Sequence, residues 1–350
     1  MSETLLAAYE RLHDHGPEFG GDEEGNHGLT NHGPMAAEVM VRRGLPVDVD
    51  RWLDGYVRRL ADLPTPSERI TDWRAALGDA RRMPDWTAYF RAELRAAPWR
   101  DVLATWWPRL LPGIAAGSTH GVIRVGHAVR TLTTATSPQA LDELANGLAF
   151  WAGRWRPVPV DGAGAAAAGA AEALAALPEL PDRSGFIAHR LTRLAAMPEW
   201  PAAVAAMPVP TADDDVPTAL ATLVDAATVR YLRVGRHSPV LLVHTATAPN
   251  AVLHCLPVLP KTVWRASLVA AWAAAAAITV TYAGPPADRP AALLNTGDPA
   301  GTLLDRAADH RDEHVLKFAD TAIESYDRTG DAAALAAVHL AADLIEPPRQ

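Results

Sequence analysis

Apolar residues recur at helical spacing along most of the chain, and alternating strand-like stretches are rare. The pattern predicts helices over Glu3–His13, Met35–Arg43 and Val49–Leu60, the last two split by Gly44-Leu45-Pro46. Asp85–Ala96 and Trp99–Leu111 follow, divided at Pro98, with Pro108 placed to end the second early. Thr119–Thr133 reads as a helix capped by Ser118 or Thr119, and Pro138–Trp155 as one opened by Ser137. Further helices are expected at Gly185–Ala195, Pro217–Arg230, Pro239–Val258, Lys261–Tyr282, Asp312–Tyr326 and Asp331–Leu344. Ile278–Tyr282 carries the best strand signal and also fits a helix.

Between residues 157 and 176 the pattern lapses into Pro157, Pro159, Gly162 and a run of alanine and glycine. It reads as a flexible surface insertion or the start of an alanine-rich helix. Histidine-bearing segments lie on both sides, so the expectation is a single all-α domain over residues 1–350, irregular and multi-helical. The 29 prolines and 24 glycines punctuate about a dozen helices, too many for a simple four-helix bundle. No internal repeat stands out.

Composition narrows the function classes. At 350 residues, 49% hydrophobic and 21% charged, the chain is globular and needs no structural metal to fold, so any bound metal is expected to be functional. The net charge of −9 and the lack of a basic run argue against nucleic-acid binding. The single cysteine, Cys255, excludes an internal disulfide and a cysteine-based zinc site, and fits a cytoplasmic protein. Met1–Glu10 lacks the features of a signal peptide. The apolar run Ala266–Ala283 reaches the lower limit for a membrane span, but its alanines and Ser267, Thr279 and Thr281 predict a buried core helix, and no membrane partner is expected.

The 13 histidines carry the chemistry. Asn26-His27 and Asn31-His32 sit in a loop leading into the helix from Met35, where His32 is the stronger candidate; a plain polar turn has the same composition. His120, Arg124 and His127 fall at i, i+4 and i+7 on one helix face, with Gly121 and Gly126 inside the helix at about 1 kcal/mol each. Such glycines imply close approach of another backbone or of a ligand. His244 lies in an apolar helix, and His254 is about 80° off its face, so one of the two is favoured as a ligand. His310, His314 and Lys317 repeat the i, i+4, i+7 spacing, which also suits an exposed charged helix. Lysine beside ligating histidines is useful only if neutral or carboxylated. No dinucleotide fingerprint, phosphate loop, His-Glu-x-x-His or Gly-x-Ser-x-Gly is present.

Taken in order, Asn31-His32-Gly33-Pro34-Met35-Ala36, His120-Gly-Val-Ile-Arg-Val-Gly-His127-Ala, His244-Thr-Ala-Thr and Asp312-Glu-His314-Val-Leu-Lys317 resemble the questin oxidase-like family over about residues 20–345. The resemblance implies an oxygenase that opens anthraquinone-type rings of aromatic polyketides with dioxygen, with NADPH as electron donor in some members. It implies a non-haem iron centre, Fe(II) held by His32, His120, His244 and His314, with Lys317 as a carbamate-bearing ligand. Arg124, His127 and Asn31 would then be supporting or substrate-contacting groups. The chain departs from the fungal pattern at Met35 and Ala36, where the fungal relatives carry further histidines. Trp106, Trp107, Trp151 and Trp155 are candidates to line an aromatic pocket. A zinc-dependent hydrolase and a non-catalytic helical binding protein with structural histidines are the alternatives.

Overall fold

The computed structural model describes residues 2–18, 30–162, 164, 166–287 and 299–348. Asn26 and His27 lie outside the described residues. The all-α expectation holds: helices dominate, joined by one two-stranded antiparallel sheet. The chain divides into two compact units, Met1–Pro157 and Val158–Arg349. The proline-, alanine- and glycine-containing stretch at residues 157–176 lies where the first unit ends and the second begins.

The first unit opens with α1 (Glu3–Leu12), β1 (His15–Glu18), α2 (Gly33–Arg43), α3 (Val49–Tyr56) and β2 (Leu60–Asp62). It continues with α4 (Trp73–Ala76), α5 (Met83–Ala96), α6 (Trp99–Leu110), α7 (His120–Thr134) and α8 (Pro138–Arg154). Strands β1 and β2 pair antiparallel, with His15 opposite Asp62 and Glu18 opposite Leu60. These short strands were not legible in the sequence, because four and three residues show no alternation to read. Pro108 sits inside α6 without ending it.

Helices α7 and α8 pack along each other, and α8 also packs against α5. Glycine sets the first contact. A Cβ on Gly121 would lie 2.5 Å from Trp151 Cβ, and one on Gly147 would lie 3.2 Å from the backbone nitrogen of Val125. The close approach expected at Gly121 is therefore the backbone of α8. The tryptophans serve the same core: Trp106, Trp107 and Trp151 are fully buried, and Trp106 meets Trp73, Trp86, Tyr89 and Phe90 edge-on. The Trp155 ring lies against Gly113. These rings are packing elements of the first unit.

The second unit carries α9 (Ala170–Ala175), α10 (Ile187–Leu194), α11 (Trp200–Ala205), α12 (Val216–Val234) and α13 (Pro239–Cys255). It closes with α14 (Trp264–Tyr282), α15 (Pro299–His310), α16 (Glu313–Thr329) and α17 (Ala332–Leu344). Part of the alanine-rich stretch forms α9. Residues Ile278–Tyr282 are helical. The segment Lys261–Tyr282 is, among the described residues, the one helix long and apolar enough to cross a membrane. Its residues from Ala270 to Thr281 are all buried, and α14 packs against α10, α11, α12 and α13, as a core helix does. Alanine both favours the helix and lets the neighbours come close.

Candidate functional site

In the first unit the sequence brings His32 and His120 together. His32 is the residue before α2; its carbonyl accepts the amide of Ala36, and Pro34 occupies the first turn, where no donor is needed. Asn31 holds the turn: its Oδ1 accepts the Gly33 amide at 3.1 Å and its Nδ2 donates to the Leu12 carbonyl at 3.4 Å. His120 opens α7 after Gly117, Ser118 and Thr119, all with left-handed backbone at φ 57, 56 and 65. Threonine pays for that conformation in strain, being β-branched. Thr119 is in the cap position but makes no capping bond with its side chain, contrary to the sequence expectation for Ser118 or Thr119; its hydroxyl donates to the Ser118 carbonyl instead.

The two rings meet edge to face, with Nε2 atoms 2.8 Å apart. Each Nδ1 faces an acceptor at 2.7 Å: Glu18 Oε1 for His32 and the Gly117 carbonyl for His120. An Nδ1 facing a carboxylate or carbonyl carries the proton, so in the neutral rings both Nε2 atoms are acceptors. Two imidazole nitrogens at that distance share either a proton or a metal ion. The spacing is close to that of two imidazoles bound cis on one transition metal, given bonds of about 2.0–2.1 Å. Glu18 also accepts the Tyr56 hydroxyl, and the same oxygen of Tyr56 accepts the His32 amide at 2.5 Å. Burial, then the Glu18 charge, push the Tyr56 phenol well above its ordinary range, so it stays a donor.

The other candidates on α7 hold helices in place. Arg124 donates to both Glu143 oxygens on α8, at 2.8 and 2.6 Å, in a buried bidentate pair. His127 Nδ1 lies 2.9 Å from Glu38 Oε2 on α2. Arg124, His127 and Asn31 thus tie together the elements that carry His32 and His120.

In the second unit the pair is His244 on α13 and His314 on α16, with ring centroids 5.3 Å apart. His244 Nδ1 donates to the Leu241 carbonyl at 3.1 Å, again directing Nε2 away from the backbone. Burial first, then the His314 and Lys317 charges, hold the His244 pKa well below the usual imidazole range. A ring kept neutral is ready to ligate. His254 faces elsewhere, with its Nε2 2.8 Å from Glu324 Oε2. Lys317 is 2% exposed, one turn beyond His314.

The expected continuous face of His310, His314 and Lys317 does not exist. Helix α15 ends at His310, Arg311 turns left-handed at φ 64, and α16 begins at Glu313. His310 Nε2 instead reaches the Ile345 carbonyl at 2.9 Å. Asp312 makes the break: its Oδ1 accepts the amides of His314 and Val315 at 2.9 and 3.1 Å and lies 3.7 Å from His314 Nδ1. Burial opposes ionisation of Asp312, but the hydrogen bond and charge of His314 and the two backbone donors hold it below the usual carboxylate range. Asp312, Glu313 and His314 offer ligand atoms within 4.8 Å of one another. Replacing Asp312 with alanine should cost about 1–2 kcal/mol through the lost cap, read as a lower thermal midpoint. An unchanged midpoint would show that α16 does not depend on it.

The sequence missed Glu18, Tyr56, Glu38 and Glu143, carboxylates and a phenol lying 14 to 92 positions from the groups they bind. Asp312 was legible in principle, as a capping aspartate before an apolar run. A comparison with models of known protein families and with curated proteins finds no match to this chain.

Proposed function

We propose that this chain is a metal-dependent oxygenase, with non-haem iron as the metal and an electron-rich aromatic, polyketide-like molecule as substrate. The observation that carries the reading is the opposed Nε2 atoms of His32 and His120, each ring committed at Nδ1 to a buried acceptor. Metal-binding histidines characteristically donate their second nitrogen in this way. The donors we assign are His32 and His120, with His244, His314 and a carboxylated Lys317 as the further ligands that the ordered motifs imply. This donor set suits iron, zinc, copper or nickel; the ordered motifs favour iron.

Fe(II) held by these donors would supply activation of dioxygen. The chain's own residues do the rest. Burial keeps water from the imidazoles, and His32, His120 and His244 are 1, 6 and 1% exposed. Glu18, the Gly117 carbonyl and the Leu241 carbonyl hold protons on Nδ1 and keep Nε2 available. Carboxylation of Lys317 would turn a buried cation into an anionic donor, offsetting the metal's charge.

Anaerobic reconstitution with Fe(II), followed by metal analysis, tests the proposal. One iron per chain is expected, lost in His120→Ala, while Cys255→Ser retains it. Absence of bound iron after reconstitution would refute the oxygenase. Two zinc ions per chain, with hydrolysis of an ester probe, would favour the hydrolase instead.

A further inference from the structure

The contacts around His32 assign a role to two residues that lie outside every histidine motif. We propose that Glu18 and Tyr56 form a positioning unit that fixes the tautomer and orientation of His32 and thereby sets the metal affinity of the first unit. The inference rests on the metal-binding reading above and goes beyond it by naming what makes His32 a competent ligand.

Glu18 is 4% exposed and Tyr56 is 2% exposed, so both are shielded from water. The carboxylate accepts a hydrogen bond from His32 Nδ1 at 2.7 Å and another from the Tyr56 hydroxyl on the same oxygen, Oε1. A neutral imidazole carries one ring proton, and its position decides which nitrogen can ligate. With the proton drawn to Nδ1 by a carboxylate, Nε2 keeps its lone pair toward His120, and the ring is a stronger donor. The phenol keeps the carboxylate from turning away, since Tyr56 is itself anchored by accepting the His32 amide.

The local backbone is shaped for this unit. Glu18 ends β1, whose pairing to β2 sets where its side chain starts. Gly33 follows His32, and a Cβ there would lie 2.6 Å from Tyr56 Cε1, so a side chain at that position would displace the ring. The Asn-His-Gly-Pro order thus has a physical reading: His32 ligates, and Gly33 makes room for the ring that holds its partner.

The test uses the full chain, with Co(II) as the probe and its visible bands as the readout of binding. Glu18→Gln keeps shape and removes charge; it should weaken Co(II) about 10–100-fold. Tyr56→Phe keeps the ring and removes the hydroxyl; it should weaken Co(II) by a smaller factor, with Glu18→Asp between the two. In metal-free protein, long-range ¹⁵N–¹H spectra should show His32 protonated at Nδ1 in wild type and redistributed toward Nε2 in Glu18→Gln. A purely structural role would lower the thermal midpoint without moving the tautomer. Unchanged Co(II) affinity and an unchanged His32 tautomer in both Glu18→Gln and Tyr56→Phe would overturn the proposal. The His120→Ala control separates the two readings. If it loses Co(II) while Glu18→Gln does not, only the positioning role fails. If wild type takes up no Co(II), the metal reading fails and the ¹⁵N spectra alone decide the positioning role.

Discussion

Glu38→Gln is expected to destabilise the protein by about 3 kcal/mol at pH 7, the low end of the cost of breaking a buried ion pair. Glu38 is 2% exposed and bonds the Arg130 guanidinium through both oxygens, His127 through Oε2, and lies 3.6 Å from Arg42. Glutamine fills the same space but removes the negative charge that Arg130 and His127 bond. The low end applies because Arg130 and His127 side chains keep 12 and 11% of their exposure, and Arg42 keeps 33%, so water offsets part of the loss. Burial alone would raise the Glu38 pKa; the Arg130 charge and the His127 bond outweigh it and bring it to about 2 from 4.5. A depressed carboxyl stabilises the fold above its unfolded value and loses that contribution as pH falls through the folded one. The gap between wild type and Glu38→Gln should therefore be full above about pH 5, shrink between pH 4.5 and 2, and vanish below. Thermal midpoints across pH 2–7 measure it, with a difference of roughly 6–12 °C at pH 7. Equal midpoints at pH 7 would mean that this charge network contributes nothing.

The helices were legible because periodicity and punctuation agreed. Pro138–Arg154 opens with a Ser137 side chain that accepts the Ala140 amide, as the sequence had suggested. Gly44 ends α2 in the left-handed conformation glycine tolerates. The failures have equally local causes. Spacing of four and seven between His310, His314 and Lys317 implied one face, but Asp312 offers the backbone a cap, and capping competes with continuation of a helix.

Within the candidate site, residue types were more legible than partners. His32 and His120 could be singled out from Asn-His before a helix and from glycine-flanked histidine in an apolar helix. Their orientation could not, because it depends on Glu18, Tyr56 and the Gly117 carbonyl, which no spacing rule connects to them. Arg124 and His127 were correctly read as sharing a polar stripe with His120. The stripe is buried, and burial obliges each to find a carboxylate. A sequence pattern names which side chains face inward; only the fold says which acceptor answers them.

Gly121→Val should be severely damaging, costing about 4 kcal/mol or more. A Cβ at residue 121 would sit 2.5, 2.7 and 2.8 Å from Trp151 Cβ, Cγ and Cα. The Cα is backbone, so no rotamer change relieves the overlap and α7 must move off α8. Alanine makes the argument quantitative: it gains about 1 kcal/mol of helix propensity over glycine. Against that stands an overpacking cost of about 1–3 kcal/mol. Gly121→Ala carries the same Cβ overlap and should be destabilised by about 2 kcal/mol, and valine adds two methyl groups to the same contact. Gly169→Ala is the control, since a Cβ there meets nothing within 4 Å and its φ of −178° suits any residue. Because His120 precedes Gly121, the displaced helix start should carry Nε2 of His120 away from His32. On the proposed metal-binding reading, Gly121→Val should therefore bind Co(II) more weakly than wild type even at temperatures where it remains folded, and Gly169→Ala should bind it as wild type does. Wild-type stability in Gly121→Val, measured by denaturant unfolding, would show that α7 and α8 do not depend on this contact.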